Sequence, residues 1–231
     1  MLKIGGLQKL TLLDYPGKIA ATLFLAGCNF RCGFCHNPDL VIVKQDANLI
    51  PEAEVLDFLK KRKGVLDGVC IGGGEPLFQP EIREFLAKIK DLGYLIKLDT
   101  NGFNSSLLEQ LVKEKLIDYI AMDIKASLGK YEAFTGLKSD FKNIRDSIKL
   151  IMASGLPYEF RTTVLPKFHN SEEIEKIGQM ISGAKVYFLQ NFRNKITLDP
   201  ALERESSFTD DELKELKQIA LKYVKECEVR N

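Results

Sequence analysis

Three of the five cysteines fall within eight residues, Cys28-Asn-Phe-Arg-Cys32-Gly-Phe-Cys35. Thiolates at C-x3-C-x2-C spacing let one short loop wrap a metal centre. If that centre has four irons, three ligands leave one iron for a substrate or cofactor to chelate. Two other chemistries compete: a zinc site completed by His36, and a four-cysteine electron-transfer cluster. Zinc sites usually pair such cysteines with a second ligand pair farther along, and the electron-transfer cluster needs a fourth cysteine, whereas the second histidine, His169, is distant in the chain and Cys70 and Cys227 stand alone. Reactive or structural thiols are a further alternative. The two lone cysteines read as small buried hydrophobes.

Other polar residues close short apolar runs. One run ends in Ile71-Gly72-Gly73-Gly74-Glu75-Pro76, where glycines let the backbone approach a ligand and Pro76 stiffens the turn. Two more end in Asp99-Thr100-Asn101-Gly102 and Met122-Asp123-Ile124-Lys125. Arg161 lies inside the apolar run Phe160-Arg161-Thr162-Thr163-Val164, so its charge requires a carboxylate. That carboxylate comes from the protein or from a ligand.

The elements that must position these residues recur along the chain. Apolar, β-rich runs at 20–25, 68–71, 94–99, 119–124, 159–165 and 185–189 alternate with helical stripes such as Ile82, Phe85, Leu86 and Ile89. Asn170-x-x-Glu173 and Thr209-x-x-Glu212 resemble capping boxes. Six strand–helix units predict an α/β fold with parallel strands, too few for a full barrel: a partial (β/α)6 barrel of TIM type, with a doubly wound sheet as the alternative, and in either case ligands at the C-terminal strand ends. We expect a single domain over 1–231: an N-terminal extension or hairpin at 1–18, the partial barrel at 19–190, and a C-terminal segment and helix at 191–231.

The 231 residues carry 45% hydrophobic and 28% charged residues and a net charge of +1. Nothing here calls for a nucleic-acid or membrane partner. No apolar run reaches the roughly 20 residues of a membrane span, and the opening lacks the pattern of a secretory signal, so a cytoplasmic protein is expected.

The cysteine spacing, with an aromatic residue before the last cysteine, resembles the signature of the radical S-adenosylmethionine (SAM) superfamily. That resemblance implies a [4Fe–4S] cluster on Cys28, Cys32 and Cys35. SAM would chelate the open iron and be cleaved, on one-electron reduction, to methionine and a 5′-deoxyadenosyl radical. Phe34 would lie beside the adenine. Gly73-Gly74-Glu75-Pro76 looks like the family's GGEP motif, which holds the SAM amino group. The Asp99–Gly102 and Asp123–Lys125 segments resemble the DTNG and D-x-K motifs of glycyl-radical-enzyme activases. They imply Asn101 and Lys125 as SAM contacts, and Asp99, Thr100 and Asp123 around a monovalent cation. Arg161 would meet the SAM carboxylate. At the sixth strand the pattern departs, because Leu189-Gln190-Asn191-Phe192-Arg193 stands where related activases carry a histidine.

The opening Gly6-Leu7-Gln8-Lys9 with Asp14-Tyr15-Pro16-Gly17-Lys18, together with Cys35-His36-Asn37-Pro38, is similar to activating proteins of anaerobic ribonucleoside-triphosphate reductase. The similarity runs from Ile4 to about Arg193. It implies a radical SAM oxidoreductase that takes hydrogen from a glycine of a partner glycyl radical enzyme, reduced by flavodoxin or ferredoxin. His36 and Asn37 become candidates for receiving the partner's loop, or for shaping the cluster turn. Alternatives are an activase of pyruvate formate-lyase or another glycyl radical enzyme, a radical SAM enzyme acting on a small molecule such as a deazapurine precursor, and a non-catalytic zinc or electron-transfer module.

Overall fold

The run Ala20-Ala21-Thr22-Leu23-Phe24-Leu25 is buried at every position except Phe24, as befits a strand covered on both faces. The computed structural model describes residues 2–231; Met1, the start of the expected single domain, lies outside the described residues. The strands are β1 (Ile4–Thr11), β2 (Ala20–Leu25), β3 (Gly68–Gly73), β4 (Leu95–Thr100), β5 (Tyr119–Asp123), β6 (Tyr158–Val164), β7 (Val186–Asn191) and β8 (Glu226–Arg230). They form an open, mostly parallel sheet in chain order. Six of them, β2 to β7, are the expected parallel strands.

The chain divides into two compact units, one of residues 2–29 and 39–120, the other of residues 30–38 and 121–231. In the first unit β1 runs antiparallel to β2, with Ile4 opposite Leu25 and Thr11 opposite Ala20. β1 lies within the 1–18 segment, and its antiparallel partner β2 lies within the 19–190 segment. β2, β3 and β4 are parallel, with Ala20 beside Gly68 and Gly68 beside Leu95. Ile82, Phe85, Leu86 and Ile89 form the buried stripe of a helix spanning Ile82–Asp91. Helix Ser105–Lys113 is capped by Asn104, whose side chain accepts from Leu107 N at 3.2 Å.

In the second unit β6, β7 and β8 are parallel, with Phe160 beside Tyr187 and Tyr187 beside Cys227. β8 was not expected, because residues 191–231 read as a segment and a helix. The helix is present at Asp210–Ala220, with a complete capping box at Thr209 and Glu212. At Asn170 half the box forms: the Asn170 side chain accepts from Glu173 N, while the Glu173 carboxylate turns to Ser127 N at 2.5 Å. Helix Ser171–Met180 carries Gly178 where an added Cβ would lie 2.6 Å from the Tyr223 ring. The close approach of Tyr223 therefore requires a residue that costs a helix about 1 kcal/mol relative to alanine. Among the described residues no helix is long and apolar enough to cross a membrane.

Candidate active site

In the first unit the glycine turn after β3 is held by backbone. Gly74 N donates to Leu25 O at 2.7 Å and Glu75 N to Gly27 O at 2.9 Å. Gly73 has φ of +104°, and an added Cβ would meet Leu25 N at 2.5 Å; at Gly74 it would meet Gly27 O at 2.2 Å. The turn thus lies directly on the strand end that leads into Cys28, and no side chain fits there.

Beyond the buried Pro76 turn, the Glu75 carboxylate reaches the end of β4. It is 3% exposed. Oε1 accepts from Leu77 N at 3.0 Å and from Thr100 Oγ1 at 2.6 Å, and Oε2 accepts from Asn101 N at 2.7 Å. These donors replace the water that the buried carboxylate has lost. Asn101 Nδ2 donates to Asn29 Oδ1 at 2.8 Å, and the Cys28 thiol lies 3.9 Å from the same oxygen. A polar chain therefore runs from the glycine turn to the first cysteine. Asp99 is ion-paired with Lys97.

In the second unit the cysteine loop is fastened to a later segment. Cys35 N donates to Cys32 O at 3.0 Å, closing a turn, while Leu198 N donates to Cys35 O at 3.0 Å and Asp199 N to Gly33 O at 2.9 Å. His36 Nδ1 lies 3.2 Å from Ile196 O and its ring stacks on Phe192 at 5.4 Å. Asn37 is exposed. Phe34 is buried, edge-on to Phe134 with ring centroids 6.1 Å apart.

Behind this loop Asp123 gathers two cations. Arg161 Nε meets Oδ1 at 2.8 Å and Lys125 Nζ meets Oδ2 at 3.0 Å. Burial alone would raise the Asp123 pKa, but Arg161 and Lys125 outweigh it and hold the carboxyl well below the usual range. Burial would likewise lower Lys125, and Asp123 pushes it above its ordinary value. Arg161 Nη1 also lies 3.7 Å from Glu159 Oε1, and Arg230 of β8 grips both oxygens of that buried glutamate at 3.1 Å. Arg161 thus finds protein carboxylates inside its own unit.

His169 was passed over in the sequence and proves to be part of this half. It is 1% exposed, its Nδ1 accepts from Leu165 N at 3.2 Å, and Nε2 lies 3.1 Å from Lys125 O. With Nδ1 accepting, the proton sits on Nε2 and is donated to Lys125 O, which fixes the neutral tautomer. Burial pushes its pKa down to about 4. No local pattern announces this role; only the fold brings residue 169 to residue 125. At the sixth strand Gln190 pairs in register with Arg230, and Arg193 is exposed and donates to Asn231 O.

The fold and the cysteine loop define an iron–sulfur enzyme of the radical SAM type. A family model described as the radical SAM superfamily matches residues 22–181, and the chain belongs to that family. Relatives extend end to end. A Methanocaldococcus jannaschii protein, provisionally named a glycyl-radical enzyme activating enzyme, is 33% identical over 233 residues, covering 98% of this chain and 95% of its own. The pyruvate formate-lyase-activating enzyme of Clostridium pasteurianum is 30% identical over 243 residues, 98% of each chain. Among solved structures, SuiB of Streptococcus suis bound to S-adenosylmethionine superposes with a TM-score of 0.65 at 19% identity, over 88% of this chain and 48% of that one. QueE from Escherichia coli gives 0.60 at 12% identity, over 100% and 94%. At these identities the structural likeness speaks for the fold alone.

Family membership implies a [4Fe–4S] cluster and SAM, and the donor chemistry fits. Among the described residues none of the cysteines is in a disulfide. Nor do three metal-ligating side chains stand in a ready-made single-ion group, so the fit rests on three thiols in one loop with a fixed backbone. Burial pushes the Cys32 thiol up to about 11, opposed by the nearby Lys125 ammonium. Such a thiol is deprotonated by metal binding, and Lys125 favours the thiolate that results. Cys70 and Cys227 are buried, as expected of small apolar side chains.

Proposed function

We propose that this chain is a glycyl-radical-enzyme activase whose partner is anaerobic ribonucleoside-triphosphate reductase. The observation that carries the activase reading is the end-to-end similarity to relatives named as activating enzymes, at 33% and 30% identity. The choice of partner is supported by the opening through Asp14-Tyr15-Pro16-Gly17-Lys18 and by Cys35-His36-Asn37-Pro38.

Cys28, Cys32 and Cys35 hold the cluster in this reading. Gly73, Gly74, Glu75, Pro76, Asn101, Lys125 and Arg161 form the SAM-binding set, with Phe34 beside the adenine. When bound, cluster and SAM supply a 5′-deoxyadenosyl radical, which takes hydrogen from one glycine of the partner. The chain's own contribution is positioning. The glycine turn offers bare backbone, and Glu75 fixes the end of β4. The neutral His169 holds the Lys125 carbonyl, while Asp123 orients the Lys125 and Arg161 cations. His36, stacked on Phe192, shapes the cluster turn, and the exposed Asn37 is available to the partner's loop. The electron comes from a flavodoxin or ferredoxin in the cytoplasm.

The test is anaerobic reconstitution, reduction and mixing with SAM and the anaerobic reductase. A glycyl doublet in the electron paramagnetic resonance spectrum, with one 5′-deoxyadenosine formed per radical, is expected. A doublet on pyruvate formate-lyase instead would transfer the reading to the second partner, which the Clostridium relative favours. SAM cleavage with no doublet on any glycyl radical enzyme would point to a small-molecule substrate.

A further inference from the structure

We propose that the Lys97 ammonium is the resident counter-charge of Asp99, so that SAM binding by this chain does not depend on K+ or Na+. The proposal rests on the radical SAM reading of the site and departs from the monovalent cation that the activase resemblance implies around Asp99, Thr100 and Asp123.

Lys97 and Asp99 are two apart on β4, so both side chains leave the same face of the sheet. On that face the register places Thr22 beside Cys70 and Cys70 beside Lys97, all three nearly inaccessible. The Lys97 side chain is 2% exposed, lies 5.8 Å from the centre of the Tyr119 ring, and ends in an ion pair with Asp99. Gly72 of β3 flanks the pair: a Cβ built there would stand in ordinary contact with the Asp99 side chain, 3.4 Å from its Cβ and 3.8 Å from Oδ2. A lysine so deeply buried is tenable only with a carboxylate partner.

A second cation on the same carboxylate would lie next to that ammonium. Like charges that close repel strongly where water is largely excluded. The other two expected ligands are engaged inside their own units. Thr100 Oγ1 donates to Glu75, and Asp123 is met by both Arg161 and Lys125. Each acidic group expected to hold a cation therefore already has a basic side chain of this chain.

The experiment measures SAM affinity of the cluster-loaded enzyme in KCl, NaCl and choline chloride at one ionic strength. Affinities within about twofold are expected for the wild type, and a loss beyond about tenfold in choline overturns the proposal. Lys97→Met should acquire the dependence, binding SAM at least about tenfold more weakly in choline and recovering in K+ or Na+. A Lys97→Met enzyme that binds like the wild type in every salt also overturns it. Should that variant not fold, sodium NMR of the wild-type and Asp99→Asn chains, with and without SAM, decides. Equal line widths support the proposal; broadening by the wild type that K+ displaces and Asp99→Asn abolishes refutes it. A wild-type chain that takes up no cluster and binds no SAM in any salt defeats the activase reading instead, and the sodium measurement still decides the role of Lys97.

Discussion

In the first unit the central carboxylate, Glu75, is met by two backbone N–H groups and a hydroxyl; in the second, Asp123 is met by an arginine and a lysine. Both are acids near strand ends. One serves as an acceptor of neutral hydrogen bonds, the other as the centre of a charge cluster that continues through Arg161 and Glu159 to Arg230. The first arrangement depends on shape and backbone, the second on charge balance, and substitutions that remove charge at constant volume should separate them.

Asp123→Asn is expected to have the largest effect. It leaves Arg161 and Lys125 partly buried without their shared anion, and breaking such a cluster costs about 3–5 kcal/mol, read from the urea midpoint of the apo chain. The native Asp123 contribution is present above the ordinary carboxylate range and is lost as the pH falls through its depressed value.

Next comes His169. Its folded pKa is lowered from 6.5 to about 4, so between those values the unfolded chain binds a proton that the folded chain refuses. Stability is full above 6.5 and declines by about 3 kcal/mol as the pH falls towards 4. Replacing His169 with Gln should remove that slope from the pH dependence of unfolding; an unchanged slope would assign it elsewhere.

Gly74→Ala tests the shape-dependent half. Its Cβ would overlap Gly27 O at 2.2 Å, a backbone atom that cannot turn aside, and about 2–3 kcal/mol of destabilisation is expected. Glu75→Gln should be the mildest, about 1–2 kcal/mol, because one buried donor loses its acceptor but no charge is stranded. A Glu75→Gln cost equal to that of Asp123→Asn would collapse the distinction between the two halves.

The same difference governs what could be read in advance. The glycine turn, the cysteine spacing and the strand-end acids are local, because backbone approach and loop ligation need particular residues at fixed spacing. The charge-dependent half was legible only as a requirement. Arg161 had to meet a carboxylate, but whether that was Asp123, Glu159 or a ligand depends on strand order and register. β8 shows the limit most clearly. Glu226-Cys227-Glu228-Val229-Arg230 alternates charged and apolar residues, yet five residues after a helix do not reveal which strand they join. Once β8 pairs with β7, Arg230 falls on Glu159. The buried Lys97 was equally hidden, since a lysine within an apolar run gives no sign of where its ammonium ends.

The fastening of the cysteine loop also bears on how the protein is made. His36 meets a carbonyl 160 residues further along, and Gly33 and Cys35 are tied to Asp199 and Leu198. At roughly 5–20 residues per second, a ribosome needs on the order of ten to thirty seconds to synthesise that stretch after the cysteines emerge. Throughout this interval Cys32 and Cys35 lack the chain that anchors their loop. Cluster binding by the anchored loop therefore waits until residue 199 has been made, and until then the nascent thiols depend on a reducing environment to stay unoxidised.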